Sequence, residues 1–152
     1  YQTACARTEA AGHAAQPIDQ ARALAIRSRS RRNASRRLRT PSLSSGAAWT
    51  TVGYDRVKGE LYIDRTHSGN TAFSRDFPAR ITAPLPLPAG GSVKLRIVVD
   101  RSTVEVFAQD GLVAMTALAY PPDGANHLEL VTDGPAPRAV EVEFWPLQST
   151  WQ

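Results

Sequence analysis

A chain of 152 residues, 42% of them hydrophobic, is long enough for one domain that buries about two-thirds of its unfolded surface. No run of about 18 apolar residues occurs and the N-terminus lacks a basic–apolar–small pattern, so neither a membrane span nor a signal peptide is expected. A single cysteine, Cys5, excludes an internal disulfide and a multi-cysteine metal site.

The net charge of +4 hides an asymmetry: residues 1–50 hold nine arginines and two acids, whereas residues 51–152 hold nine bases and twelve acids. In the first part, Pro17 to Ile26 predicts a helix, with Pro17 suited to a first turn and Ile18, Ala21, Leu24 and Ala25 forming a weak apolar stripe. The like charges of Arg27 to Arg39 repel, which predicts a solvated, mobile chain, and Pro41 to Gly46 reads as a linker. Residues 1–50 are therefore expected to be an irregular or partly helical, Arg-rich lead.

From Thr51 the pattern changes to short alternating runs between turn residues. Gly59 to Thr66 sets Leu61 and Ile63 against Tyr62 and Asp64, the signature of a half-buried strand. Phe73 to Leu85 carries Pro78 and Pro84 and predicts an edge or irregular strand. Val93, Leu95, Ile97 and Val99 share one face opposite Lys94, Arg96 and Asp100. Val104, Val106 and Ala108 then complete a hairpin across the tight Asp100–Thr103 connection. Asp110-Gly111 is a two-residue turn signal leading into a strand over Leu112–Tyr120. Two further strands are predicted over His127–Thr132 and Ala139–Trp145. Seven or so short strands at this spacing, with gaps too short for crossover helices, indicate an all-β antiparallel sandwich, jelly-roll-like, over residues 51–152.

Chemistry is sparse. Ala89-Gly-Gly-Ser92 lacks the helix that a phosphate loop needs. His13, His67 and His127 have no ligand spacing, so no metal is expected, and no cofactor motif occurs. Asn33-Ala-Ser35 matches a glycosylation acceptor, a triplet that chance supplies readily. A retaining glycosidase needs two carboxyls about 5 Å apart. Asp100, Asp110, Asp123 and Asp133 instead occupy turns, where Asp bonds backbone. Asp64-Arg65, Arg75-Asp76 and Asp100-Arg101 suit local ion pairs. The arginine cluster fits polyanion binding, but residues 2–48 contain no Phe, Tyr or Trp to stack on bases.

Gly53 to Gly69, with its Asp64-Arg-Thr-His-Ser-Gly69 ending, resembles the C-terminal module of glycoside hydrolase family 32, the invertases, levanases and inulinases. The resemblance continues through Leu95-Arg-Ile-Val-Val-Asp-Arg-Ser-Thr-Val-Glu-Val-Phe-Ala-Gln-Asp-Gly111 and Met115 to Pro121, and covers about residues 51–147. It implies a sandwich attached to a five-bladed catalytic propeller whose nucleophile and acid lie in Asn-Asp-Pro-Asn, Arg-Asp-Pro and Glu-Cys segments. None of these occurs here. Arg75-Asp-Phe-Pro78 is interrupted by Phe77, and Cys5 follows Ala4 rather than Glu. The resemblance thus implies no catalytic residue, no cofactor and no metal. It implies the propeller as partner, sucrose or fructan as the parent enzyme's substrate, and contacts that shape oligomers in some members.

Residues 1–50 depart from the family pattern. They are expected to be non-native, of the kind that GC-rich coding DNA yields out of frame, leaving a sandwich without its opening strands and an open edge that self-associates. Two other functions compete with a supporting module. A free-standing carbohydrate-binding module would expose aromatics such as Tyr54, Tyr62, Phe73 or Trp145, and an Arg-tail binder would hold nucleic acid, a partner not expected here. The setting is expected to be bacterial, secreted or cytoplasmic.

Overall fold

The computed structural model of the chain describes residues 22–29, 36–40, 48–88, 91–122 and 139–146. These form nine strands: β1 (Arg22–Arg29), β2 (Arg36–Thr40), β3 (Trp49–Asp55), β4 (Glu60–His67), β5 (Arg80–Pro84), β6 (Ser92–Asp100), β7 (Thr103–Ala108), β8 (Val113–Leu118) and β9 (Ala139–Pro146). One antiparallel sheet has the order β8-β7-β6-β1-β9 and the other β2-β3-β4-β5. The all-β sandwich expected from the strand spacing is the observed fold.

Period-2 alternation builds the core. Val52, Tyr54, Leu61 and Ile63 from the smaller sheet meet Val93, Leu95, Ile97, Val104, Val106 and Ala108 from the larger one. The β6–β7 hairpin has the predicted parity, with Ile97 opposite Val106 and Val99 opposite Val104, and Lys94, Arg96 and Asp100 exposed. Its two-residue turn uses Arg101 at φ 34, and the Thr103 hydroxyl donates to the Asp100 carbonyl at 3.1 Å. β5 is an edge strand, which suits Pro84 at its end.

Other elements differ from expectation. Over Arg22–Ile26 the predicted helix is corrected to strand, because β1 lies between β6 and β9. Leu24 and Ile26 stand opposite Ile97 and Leu95 on one side and opposite Phe144 and Val142 on the other. A two-residue alternation that fits two neighbouring strands outweighs a weak helical stripe. β2 likewise falls within the segment read as mobile, pairing Leu38 with Val52. The composition break at Thr51 lies inside β3, and two strands of the sandwich precede it. With β1 and β2 in place, β3 and β6 are interior strands, which removes the open edge on which self-association was argued.

The Asp110-Gly111 turn spans Gln109–Gly111, one residue longer than the expected two-residue connection. Gln109, Asp110 and Gly111 have φ of 49, 60 and 95. Leu112 is left 77% exposed, and β8 begins at Val113. The strand expected over His127–Thr132 lies outside the described residues, whereas the last predicted strand is β9.

Candidate functional site

Two of the acids singled out in the sequence, Asp64 and Asp110, are occupied by local structure. The Asp64 carboxylate accepts from the backbone N–H of Thr66 at 3.0 Å and from its hydroxyl at 2.6 Å. Asp110, in the turn between β7 and β8, pairs with Lys94 near the start of β6, where Gln109 also accepts from the Lys94 N–H. Among the described residues, none of the neighbouring pairs Asp64-Arg65, Arg75-Asp76 and Asp100-Arg101 forms an ion pair. Cys5, His13, Asn33, Asp123, His127, Asp133 and the Trp145 side chain lie outside the described residues. His67 stacks on Trp49, with ring centroids 4.4 Å apart and planes 11° apart.

Of the aromatics considered for sugar binding, Tyr54 and Tyr62 belong to the interior. The Tyr54 hydroxyl donates to the Leu85 carbonyl at 2.9 Å, and burial pushes its phenol above the ordinary value of 10.0. Tyr62 lies on the outer face of its sheet, where alternation predicts exposure, yet is 2% exposed. Its ring covers Gly53, where any Cβ would collide with it, and the Arg80 guanidinium sits 3.6 Å above the ring centre.

Phe73 is different, being 58% exposed at one end of the sandwich. After β4 the chain turns at Ser68 and Gly69, and Gly69 makes an isolated parallel bridge with Tyr120, just past β8. Gly69 has φ 97 and lies against the Tyr120 carbonyl, so no other residue fits this junction between the sheets. The Asn70 N–H donates to the same carbonyl at 3.1 Å. The junction brings three rings together: Phe73 is 4.7 Å from Phe77 and 5.4 Å from Tyr120, and Phe77 is 5.2 Å from Tyr120. The Arg65 guanidinium lies 4.4 Å from the Phe77 centroid, with its Nε buried and without a hydrogen-bond partner. Phe77 is buried, whereas Phe73 and Tyr120 open to solvent. Sequence reasoning named Phe73 but missed this cluster, because the contact spans about 45 residues and depends on the Gly69–Tyr120 bridge.

No His, Cys, Asp and Glu grouping suited to a metal ion occurs among the described residues. The cluster offers apolar area, ring faces and one cation, which suits binding a surface or a sugar.

Comparison with known proteins agrees with the architecture. Residues 10–146 match the model described as "Glycosyl hydrolases family 32 C terminal". The arginine-rich stretch expected to be non-native thus falls largely within the matched range. The chain is 40% identical to the extracellular exo-inulinase of Aspergillus awamori over 102 residues, which is 67% of this chain and 19% of that protein. It is 41% identical to the levanase of Bacillus subtilis over 104 residues, 68% of this chain and 15% of that protein. The crystal structure of the A. awamori exo-inulinase superposes with a TM-score of 0.83 at 31% identity, over 91% of this chain and 27% of that one. The chain therefore spans about a fifth of the length of these relatives. It belongs to glycosyl hydrolase family 32, as the C-terminal domain of that family's enzymes.

Proposed function

We propose that the chain is a non-catalytic supporting module of a β-fructosidase, which braces the catalytic module and leaves sucrose or fructan cleavage to it. The observation that carries this reading is the extent of the likeness. Nearly the whole sandwich corresponds to only 27% of the exo-inulinase, at the end that the family description calls C terminal. Cleavage with retention needs a nucleophile and a proton donor on opposite sides of the glycosidic bond. Of the carboxylates weighed for that role, Asp64 bonds the backbone N–H and hydroxyl of Thr66 and Asp110 pairs with Lys94. Self-association through a sheet edge is not part of this reading, because β1 and β2 cover the edges that would have carried it.

The test is to incubate the purified chain with sucrose, inulin and levan and to measure released fructose. None is expected. Turnover that follows the chain through purification and disappears in Asp64→Asn or Asp100→Asn would overturn the reading.

A further inference from the structure

We propose that the free edge of the smaller sheet is closed to strand addition by proline, so that a second copy of this chain cannot pair along β5. The inference is independent of what the domain does for a catalytic partner.

The register carries it. In an antiparallel pair, residues that exchange backbone bonds with the neighbour alternate with residues whose N–H and C=O point away from it. β4 and β5 pair with Leu61 opposite Ala83 and Ile63 opposite Ile81. At the two ends of this ladder, the Leu85 N–H donates to the Gly59 carbonyl at 2.7 Å and the Arg65 N–H donates to the Ala79 carbonyl at 2.9 Å. Ala79, Ile81, Ala83 and Leu85 therefore turn their backbone groups toward β4. Pro78, Arg80, Thr82, Pro84 and Pro86 turn theirs toward the free side, where no strand lies among the described residues.

Proline has no N–H, and its ring carbon fills the direction in which that N–H would point, so it holds an incoming carbonyl away. Only Arg80 and Thr82 keep outward donors, about 7 Å apart and bracketed by Pro78 and Pro84. A neighbouring strand of ordinary length, about five or six residues, cannot continue its ladder past either of them. Prolines at the intervening positions would have broken the β4 ladder instead. Their shared parity leaves that ladder whole and strips donors from the opposite side alone.

The side chains agree with the backbone. Pro84, Pro86 and Pro88 are exposed, whereas Leu85 between them is buried in the core. Past Pro86, the Pro88 carbonyl is taken by the Gly91 N–H at 2.8 Å. The Arg80 guanidinium is held 3.6 Å above the Tyr62 ring centre, which fixes a charge at the middle of the edge and is a further obstacle to a strand neighbour.

The experiment is amide hydrogen exchange together with light scattering on the full chain at rising concentration. It compares the natural sequence with the double variant Pro84→Thr, Pro86→Thr, which gives the edge four consecutive outward donors. In the natural sequence the Arg80 and Thr82 amides should exchange fast at every concentration, while Ile81 and Ala83 are protected. In the variant, exchange at Arg80 and Thr82 should slow severalfold as concentration rises, with a matching rise in mass. Slow exchange at Arg80 and Thr82 in the natural sequence would overturn the proposal, and so would a folded variant in which both stay fast. A variant whose mass rises while these two amides stay fast would place the contact on another edge, such as the proline-free β8, and would overturn it as well. Should the double variant fail to fold, Pro84→Thr alone gives three consecutive outward donors and is read in the same way.

Discussion

Single residues reach their environments here by rules that alternation alone does not express. Tyr54 shows a consequence that can be measured. Its hydroxyl is satisfied by the Leu85 carbonyl inside the core, and desolvation by burial raises its pKa above 10.0. A phenol that binds its proton more tightly when folded contributes stability that is complete below the unfolded pKa and is lost as pH rises through the folded one. Melting temperature should thus fall as pH climbs past about 10, the ordinary phenol value. Tyr54→Phe should cost about 0.5–1.5 kcal/mol at neutral pH through the lost hydrogen bond and should flatten the alkaline decline. Thermal melts of both proteins from pH 7 to 11 check this, and parallel curves would show that Tyr54 does not govern the decline. Tyr62 marks the limit of residue-level reading. Its parity assigns it to the outer face correctly, but the cover comes from the absent side chain of Gly53 and from Arg80, neither visible in a local pattern.

Elements were legible in proportion to how local their cause is. The β6–β7 hairpin combines strict alternation with a short connection, so strand, face and register could all be read before the fold was known. β1 could not, because its apolar residues are few and its arginines look self-repelling until neighbours are assigned. The register sets Glu141 across from Arg27 on β9, and Ala25 between Arg96 and Glu143. Partners about 70 to 120 residues away make a strand of what composition marks as a tail. The consequence concerns truncation. Among the described strands, β9 pairs only with β1, and β6 would lose one of its two neighbours without it. Deleting residues 1–46 should therefore abolish the cooperative thermal transition or drive aggregation through the bared β6 edge, as read by circular dichroism and size-exclusion chromatography. A soluble monomer with an unchanged melting temperature would show that the sandwich is complete from Thr51.

At the scale of the whole molecule, family and fold were readable from three ordered segments, whereas the candidate site was not. Its rings lie in the irregular stretch between β4 and β5 and just past β8, and they meet only because Gly69 lets the two sheets touch at one end. On the proposed reading, a domain whose Asp55 and Asp64 carboxylates serve turns and whose Asp110 pairs with Lys94 holds a neighbour rather than a reaction. Binding of a folded partner stabilises both halves by linkage, so the effect should appear in the catalytic module's own unfolding. The most direct measurement compares calorimetric melting of the A. awamori exo-inulinase truncated of its C-terminal domain with the same catalytic portion fused to this chain. The account predicts that the fusion melts at a clearly higher temperature than the truncated enzyme and retains fructose release from inulin. A truncated enzyme that melts at the same temperature as the fusion would contradict it.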